Sequence, residues 1–367
     1  MEQFGKLKIL LTSGIYKPDV GGPATFIPKL ASYLQKKGME VEVVTLRNKN
    51  TILPLENWTV NSTVRYKNKL FRFFKTIKLI GRAAKNSNVI FSNGLFIETA
   101  VANKFNKKFI VAKIVGDPVW EKSRNLNYKE NSDLFGLQKF KMGILRKIYN
   151  QAFKSFDLII CPSKELCDLV LSWNIGVRVQ YVPNGIETKP LIEVKEKKYD
   201  LVTVCRLVPW KNVDKLIQIC SKSELSLAII GDGPLKKDLE LTSSKITSKV
   251  FFLGTLDDIE IEKVLRETKV FCLYSDYEGL SFALLHAMST GIPVCVSNIP
   301  GNNQVVINDE VGLKLTGNEN TDAALIKALI NDEVRRRKIA MQARKHIDQN
   351  FNLEKIFEEY WKILVPS

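Results

Sequence analysis

The sequence predicts an α/β protein built from two doubly wound parallel-sheet domains. Short apolar runs alternate with stretches of helical periodicity, and the alternation restarts after a polar, lysine-rich stretch at 187–199. Because two parallel strands need a crossover connection, such alternation is typical of parallel sheets with helices on both faces. The length of 367 residues also exceeds what one hydrophobic core usually organises.

Each half of the chain contributes one predicted domain. The predicted strands of the first half are Leu7–Thr12, Glu40–Leu46, Asn88–Ser92, Phe109–Val115 and Asp157–Pro162, and its helices are Thr25–Lys37, 67–86, 94–105, 136–154 and 163–173. The predicted strands of the second half are Leu201–Cys205, Ser226–Ile230, Val250–Leu253, Val270–Leu273 and Pro293–Ser297. The resulting bounds are 1–185 for a first Rossmann-like domain, 186–199 for a linker and 200–350 for a second Rossmann-like domain. The remaining segment, 351–367, contains an amphipathic helix at Leu353–Leu364. The first domain is one candidate surface against which this helix packs.

Composition and sequence landmarks exclude several classes of protein. No run of about 18 uncharged apolar residues is present, so no membrane-spanning helix is expected. The N-terminal segment lacks the apolar core and small-residue cleavage site of a signal peptide, which predicts a cytoplasmic protein. The chain has two histidines, and its six cysteines form no CxxC pair, so no metal site is expected.

The positive charge of the chain is confined to its first half. Residues 1–190 contain 31 Lys and Arg against 14 Asp and Glu, a net charge of +17, whereas the remainder contains 24 against 25, a net charge of −1. This asymmetry predicts a polyanionic partner for the first domain, either acidic lipid or nucleic acid. No known nucleic-acid-binding motif is present, so an anionic membrane surface is favoured and no nucleic-acid partner is expected.

The predicted helix at 67–86 has the pattern of a helix that lies on a membrane surface. At about 100° per residue, its core face consists of Leu70, Phe73, Phe74, Ile77, Ile80 and Ala84. The residues expected to contact the membrane are cations with two apolar residues among them: Lys67, Lys69, Phe71, Arg72, Lys75, Lys78, Leu79 and Arg82. Basic side chains with interspersed apolar ones suit an anionic bilayer. The alternative is a core helix with a solvated basic back.

Three segments that suit a ligand follow predicted strands of the second domain. They are Arg206 with Lys211, the turn Gly231-Asp-Gly-Pro234, and the segment Glu278-Gly-Leu-Ser281. Ligands of open α/β sheets bind beyond the carboxyl ends of the strands, where Arg and Lys can hold a diphosphate and glycines let the backbone approach it. The Glu278 carboxylate can bind a sugar hydroxyl or stabilise positive charge on an anomeric carbon. Each segment alone also fits a structural role, as solvated cations, a plain turn and an acidic helix cap.

The ordered set of motifs resembles the family-4 retaining glycosyltransferases, which have the GT-B fold of two Rossmann-like domains facing a central cleft. The resemblance covers nearly the whole chain. Besides the three segments above, it includes Tyr16-Lys-Pro-Asp-Val-Gly-Gly22, Val182-Pro-Asn-Gly185, Ala287-Met288 and Thr290-Gly-Ile-Pro293. It implies a donor that is a UDP- or GDP-linked sugar, transfer with retention at the anomeric carbon, no cofactor and no obligatory metal.

The resemblance also implies roles for individual residues. Arg206 and Lys211 would clamp the diphosphate and act with Glu278 in catalysis. Gly21 and Gly22 would let a loop of the first domain approach the donor phosphates. The other implied donor contacts are Gly231, Gly233, Gly279, Leu280, Ser281, Phe282 and His286.

Two positions depart from the pattern of that family. Its second motif glutamate would fall at position 286, which is His286, although a neutral imidazole can still bond a ribose hydroxyl. Many relatives place a histidine in the first domain near the reacting sugar, whereas the comparable segment Lys113–Glu121 has none. Asp117 in this segment is a candidate to act on an acceptor or donor hydroxyl. The alternative for Asp117 is to cap the loop before Pro118.

The favoured function is a retaining glycosyltransferase, peripheral on the inner face of the cell membrane, in cell-surface polysaccharide or glycoconjugate synthesis. Its acceptor would be a lipid-linked glycan or a glycolipid. The alternatives are a soluble transferase with a small acceptor, a GT-B sugar-nucleotide epimerase, and a subunit that binds the donor without turnover. The departure at His286 motivates the last alternative.

Overall fold

The computed structural model describes residues 7–365 except 20, 126–142, 189, 191–193, 195 and 247–248. The chain forms two compact units. The first comprises Met1–Pro183 together with Phe357–Ser367, and the second comprises Asn184–Ile356.

The first unit is organised around a parallel sheet. Its strands are β1 (Lys8–Ser13), β2 (Glu40–Arg47), β3 (Thr59–Val64), β4 (Val89–Asn93), β5 (Phe109–Lys113), β6 (Leu158–Cys161) and β7 (Arg178–Tyr181). Its helices are α1 (Gly22–Lys36), α2 (Lys69–Lys85), α3 (Phe96–Asn106), α4 (Pro118–Asn125), α5 (Gly143–Phe153) and α6 (Lys164–Ser172). The strand order is β3-β2-β1-β4-β5-β6-β7, so the winding reverses between β1 and β4.

The C-terminal helix α14 (Leu353–Leu364) contributes buried aromatic side chains to the first unit from Phe357 onward. The ring of Tyr360 lies 5.2 Å from that of Phe26. Lys113, at the end of β5, is also buried in this cluster, and its Nζ donates a hydrogen bond to the Tyr360 hydroxyl at 2.6 Å. The Phe26 ring centroid lies 3.9 Å from the same nitrogen. Burial lowers the pKa of Lys113 well below its ordinary value.

The second unit contains another parallel sheet. Its strands are β8 (Tyr199–Val204), β9 (Leu227–Ile230), β10 (Val250–Gly254), β11 (Thr268–Leu273), β12 (Val294–Ser297) and β13 (Leu313–Leu315). Its helices are α7 (Val213–Ser223), α8 (Lys236–Ser243), α9 (Asp258–Arg266), α10 (Phe282–Ser289), α11 (Pro300–Asn303), α12 (Glu319–Asn331) and α13 (Glu333–Asn350), and α14 begins here. The strand order is β10-β9-β8-β11-β12-β13, so the winding reverses between β8 and β11.

The predicted fold class of two doubly wound parallel sheets is confirmed. Every predicted strand matches an observed strand to within two residues at either end. Strands β3, β7 and β13 and the helices α4, α11, α12 and α13 were not predicted. The predicted helix at 136–154 corresponds to α5, which begins at Gly143, and its portion at 136–142 lies outside the described residues.

Candidate active site

The strand order of the second sheet brings together two loops that are distant in sequence. Strands β8 and β11 are direct neighbours, with Leu201 paired to Val270. Since parallel strands end at the same edge, the loop after β8, with Lys211, lies beside the loop after β11, with Glu278. This is the topological switch point, where ligands of doubly wound sheets bind.

Lys211 and Glu278 form an ion pair in this position. Lys211 Nζ donates to Glu278 Oε1, and Ser275 Oγ donates to the same oxygen at 2.7 Å. The side chains of Lys211 and Glu278 are 15% and 8% exposed. The Cys205 thiol interacts electrostatically with both charges, and burial raises its pKa to about 11. Because removing two charges from water is costly, a pair this buried contributes little net stability.

Cross-loop hydrogen bonds hold Lys211 at this position. It ends a short 3-10 turn that begins at Pro209, and the next residue, Asn212, has a left-handed backbone with φ 46°. Asn212 Nδ2 donates to Asp276 Oδ1 at 2.6 Å, and the Asp276 backbone N–H donates to the Trp210 carbonyl at 2.8 Å. Ser275, Asn212 and Asp276 were not predicted from the sequence. Their only signal was their position just beyond the two strands that prove to be neighbours.

Arg206 begins the loop after β8 and is exposed to solvent. Its carbonyl accepts from the Val208 backbone N–H at 2.9 Å, which turns the chain toward Pro209. The loop therefore carries one exposed and one largely buried cation, five positions apart.

Close backbone packing leaves no room for a side chain at either glycine of the turn after β9, and the sequence did not reveal this. Gly231 has φ +136°, and a Cβ there would lie 1.9 Å from the Cys205 carbonyl oxygen. A Cβ at Gly233 would lie 2.3 Å from the carbonyl oxygen of Leu207. The turn after β9 thus packs backbone to backbone against the loop after β8. The approach of these glycines to a donor remains a prediction.

The loop that carries Glu278 is held from several directions. Ser281 caps α10 by accepting a hydrogen bond from the Leu284 backbone N–H at 3.3 Å. Asn184 Nδ2 donates to the Leu280 carbonyl at 2.9 Å. A Cβ at Gly301 would lie 1.9 Å from the Glu278 carbonyl oxygen, so the start of α11 packs directly on this loop.

The other predicted donor contacts lie on or next to α10. Gly279 and Leu280 are buried, while Phe282, the first residue of α10, is half-buried. His286 lies one turn further along α10 and is half-buried as well. Its contact with a ribose remains a prediction.

The first-unit residues implied by the resemblance lie at helix starts. Gly21 precedes α1, which begins at Gly22, and a Cβ at Gly21 would lie 2.8 Å from Ile15 Cδ1. Their approach to donor phosphates remains a prediction.

Asp117 has structural partners that fit its role as a cap. It is 1% exposed, and its carboxylate accepts from the backbone N–H groups of Val119 and Trp120 at 2.8 and 3.3 Å. Its second oxygen pairs with Arg146. These contacts match the alternative given for Asp117, and an action on substrate remains a prediction.

The exposed apolar residues of α2 differ from the predicted set. Leu70, Phe71 and Phe74 are 71%, 53% and 65% exposed, whereas Leu79 is half-buried. The assignment of Leu70 and Phe74 to the core face was wrong, because α2 has no buried residue before Thr76. Among the predicted cations Arg72 is half-buried, and the exposed ones are Lys67, Lys69, Lys75, Lys78 and Arg82.

Two features are absent from the part of the chain that the structure describes. None of its helices combines the length and the apolar character that crossing a bilayer requires. No group of three or more His, Cys, Asp or Glu side chains in this part is suited to hold a metal ion.

Comparisons with known proteins agree with this architecture. Residues 186–346 match the family model for glycosyl transferases group 1. An uncharacterized glycosyltransferase of Methanocaldococcus jannaschii is 24% identical over 408 residues, which cover 98% of this chain and 98% of that protein. The UDP-Gal:alpha-D-GlcNAc-diphosphoundecaprenol alpha-1,3-galactosyltransferase of Escherichia coli is 27% identical over 230 residues, covering 56% of this chain and 59% of that protein. The crystal structure of Anabaena HepE in complex with UDP and glucose has a TM-score of 0.79 at 18% identity, covering 98% of this chain and 99% of that one.

The fold is therefore that of the GT-B glycosyltransferases. The second unit carries a group 1 glycosyltransferase domain, and the chain has glycosyltransferase homologues that match nearly its whole length.

Proposed function

We propose that this protein is a retaining glycosyltransferase that transfers a sugar from a nucleotide diphosphate to a glycan or glycolipid acceptor at an anionic membrane surface. The observation that carries the proposal is the Lys211–Glu278 pair at the switch point of the second sheet. With Arg206 on the same loop, the site offers two cations and one carboxylate. These are the charges that complement an anionic diphosphate and a sugar that becomes positive during transfer.

Lys211 and Arg206 bind the diphosphate of the donor. A diphosphate carries more negative charge than a single carboxylate, so it competes with Glu278 for the Lys211 ammonium. As the bond to the anomeric carbon breaks, negative charge grows on the leaving phosphate and its attraction to both cations increases. An interaction that strengthens in the transition state accelerates the reaction.

Glu278 then faces the sugar. Its carboxylate is held by Ser275 at 2.7 Å and is almost completely withdrawn from solvent. Once Lys211 turns to the phosphate, the carboxylate can accept a hydrogen bond from a sugar hydroxyl and stabilise the positive anomeric carbon. Water exclusion makes both interactions stronger than they are at a surface.

Retention follows if the acceptor oxygen attacks the face that the diphosphate leaves. In this step the bond between the anomeric carbon and the diphosphate oxygen breaks and a bond to the acceptor oxygen forms. The acceptor's proton passes to the leaving phosphate oxygen, and the step is proposed to proceed without a metal or cofactor.

The relatives suggest which substrates to test first. The name of the E. coli relative states a UDP-Gal donor and a diphosphoundecaprenol-linked acceptor, and HepE was crystallised with UDP and glucose. A UDP-linked hexose is therefore the first donor to test here, and a polyprenyl-diphosphate-linked sugar is the first acceptor.

The exposed surface of α2 supports the membrane part of the proposal. Its first two turns present three apolar side chains to solvent, and the exposed cations on or next to this helix are Lys67, Lys69, Lys75, Lys78 and Arg82. Apolar residues that insert and cations that meet acidic head groups are the features of a helix lying in a bilayer interface. Docking there would present the first unit to an acceptor held in the membrane.

The test measures transfer of radiolabelled sugar from UDP- and GDP-sugars to lipid in vesicles made from bacterial lipid extract. The labelled lipid is recovered by extraction into an organic solvent. Wild-type protein should label the lipid, and Glu278→Ala and Lys211→Ala should each reduce the rate by at least about a hundredfold, the order seen when transition-state charge stabilisation is removed. Lys215→Ala, which removes an exposed lysine of α7, is the matched control and should keep the wild-type rate.

Each other outcome has a clear meaning. Wild-type rates in both site variants would refute the site. Donor binding without transfer would favour the non-catalytic subunit, and a new sugar nucleotide formed without acceptor would favour the epimerase. An NMR coupling constant showing inversion at the anomeric carbon would refute retention.

A further inference from the structure

The loop at 48–58, between β2 and β3, carries the two most exposed large apolar side chains among the residues that the structure describes. Leu55 is fully exposed and Ile52 is 89% exposed, and Pro54 between them is exposed as well. Single exposed apolar residues are ordinary at a protein surface, whereas neighbouring ones that share a loop tip indicate a contact surface. The proposed donor chemistry and the surface of α2 use none of these residues.

Hydrogen bonds hold the backbone on both sides of this apolar tip. Before the tip, Arg47 Nη1 donates to the carbonyls of Lys49 and Thr51 at 3.0 and 3.3 Å. After the tip, the Tyr16 hydroxyl donates to Glu56 Oε1 at 3.0 Å, and Tyr16 itself is buried. The tip is therefore presented to its surroundings by a braced loop, so its side chains need no large rearrangement to meet a partner.

The charges around the tip favour an anionic partner. The Glu56 carboxylate is bonded to Tyr16, and the Asp19 carboxylate is paired with Arg65. The exposed charges are those of three lysines, Lys17, Lys49 and Lys67. An anionic bilayer offers head groups to such cations and acyl chains to the aliphatic side chains of the tip. Nucleic acid would match the cations but offers no hydrocarbon region.

The loop at 48–58 begins beside the exposed surface of α2. Strands β2 and β3 are parallel neighbours, so the loop after β2 and the helix after β3 start at the same edge of the sheet. Arg65 Nη1, just beyond β3, donates to Asn48 Oδ1 at 3.1 Å. The next residue, Tyr66, packs on Phe71 of α2 with the ring centroids 5.2 Å apart. The apolar tip and the first turns of α2 therefore belong to neighbouring parts of one surface.

We propose that the loop at 48–58 inserts Ile52 and Leu55 into the acyl boundary of an anionic phospholipid bilayer. This assignment rests on the membrane docking that the proposed function gives to α2. A helix that rests on a bilayer alone can turn about its own axis, and a second contact beside it removes that freedom. The loop and α2 together fix the orientation of the first unit on the membrane.

Sedimentation with phosphatidylglycerol vesicles tests this contact. Ile52→Ser with Leu55→Ser should weaken binding about a hundredfold, because burying one aliphatic side chain contributes about tenfold. The loss should persist at high salt, which screens only the cations. The variant should unfold at the same urea concentration as wild type, because both side chains are exposed. The matched control, Leu171→Ser with Leu241→Ser, changes leucines of α6 and α8 that are 55% and 60% exposed and should bind like wild type.

A fluorescent label reports directly whether the tip enters the bilayer. In Leu55→Cys, an NBD group attached to the new thiol should shift its emission to shorter wavelength on vesicles and be quenched by lipids brominated on their acyl chains. The same label in Leu171→Cys should show neither change. Wild-type protein treated with the reagent gives the background from its native thiols, of which Cys167 and Cys205 are half-buried and the others buried.

Several results would overturn the assignment. Vesicle binding by the loop variant equal to that of wild type would do so, as would a label at position 55 that stays in water on vesicles that bind the protein. In both cases the docking of α2 stands if Leu70→Ser, Phe71→Ser and Phe74→Ser together abolish binding. Failure of wild-type protein to bind anionic vesicles would instead refute the membrane part of the proposed function. If such a protein self-associates and the loop variant does not, the partner of the loop is a second copy of this chain.

Discussion

The exposed surface of α2 should govern how tightly the protein binds anionic membranes. Two sets of substitutions separate the contribution of its apolar side chains to membrane binding from that of its cations. Leu70→Ser, Phe71→Ser and Phe74→Ser together remove the apolar side chains. Lys67→Gln, Lys78→Gln and Arg82→Gln together remove three exposed cations and leave Lys75 in place, because its amine packs on the Tyr66 and Phe71 rings.

The size of each contribution follows from the structure. Leu70, Phe71 and Phe74 are 71%, 53% and 65% exposed. Burying a whole Leu or Phe side chain contributes roughly 1.5–3 kcal/mol, so the exposed parts of the three contribute about 3–6 kcal/mol. Each cation near an acidic leaflet contributes about 1 kcal/mol, or about 3 kcal/mol for three. At about 1.4 kcal/mol per tenfold, each set should weaken binding by at least about a hundredfold.

Sedimentation with vesicles measures both effects. The apolar variant should lose binding at every salt concentration, whereas the cation variant should lose only the part that high salt removes from wild-type protein. The matched control, Arg335→Gln, Arg337→Gln and Lys338→Gln, removes three exposed cations from α13 and should bind phosphatidylglycerol vesicles like wild type.

Two findings would refute a membrane contact through α2. One is wild-type binding by both variants, which would move the membrane contact elsewhere or remove it. The other is an equal loss of binding in the α13 control, which would show a response to net charge without a specific surface.

Three further predictions concern stability, measured by urea unfolding. Lys211→Met leaves Glu278 buried without its cation and should cost about 3–5 kcal/mol, most of which Lys211→Met with Glu278→Gln should restore. Tyr360→Phe removes the hydrogen-bond acceptor of buried Lys113 and should cost about 1–3 kcal/mol, whereas adding Lys113→Met should recover it. Because burial lowers the pKa of Lys113, the unfolded chain binds more protons than the folded one. This group therefore raises the free energy of unfolding of wild type as the pH rises toward 10.5. In Lys113→Met this increase with pH should be lost. Gly231→Ala should destabilise by more than about 3 kcal/mol, since its Cβ would meet a backbone oxygen at 1.9 Å and its φ is +136°.

Each of these predictions has a contrary outcome. Equal stability of the single and double variants at Lys211 and Glu278 would mean that the two charges are not coupled. A pH slope that persists in Lys113→Met would assign the slope to another group. A Gly231→Ala protein as stable as wild type would mean that the turn after β9 can move away from Cys205.

The apolar strands of both sheets could be predicted from the sequence because their signal is local. The strands β1 and β4 consist of runs in which nearly every residue is buried, and such runs stand out from flanking polar segments. The strand β3 at Thr59–Val64 lies at the sheet edge and has four polar residues among its six, and β13 has three residues. Neither carries enough apolar length to be recognised.

The contacts of the candidate site depend on the order of the strands, which no local pattern specifies. Lys211 and Glu278 each stood out because they follow a strand, but their pairing requires β8 and β11 to be neighbours. The same holds for Asn212 and Asp276, which were not predicted at all. The glycines at 231 and 233 were recognised for the right property, the freedom to approach closely, but the backbone they approach is that of Cys205 and Leu207.

We propose that Lys211, Arg206 and Glu278 form the binding site of a nucleotide diphosphate sugar. The most direct test is calorimetric binding of a panel of UDP- and GDP-sugars to wild-type protein, Arg206→Ala and Lys211→Met, each with and without EDTA. We expect micromolar binding of one nucleotide sugar, unaffected by EDTA and lost in both variants, with Lys215→Ala binding like wild type. Binding of no nucleotide sugar by wild type, or equal binding by Lys211→Met, would refute this site.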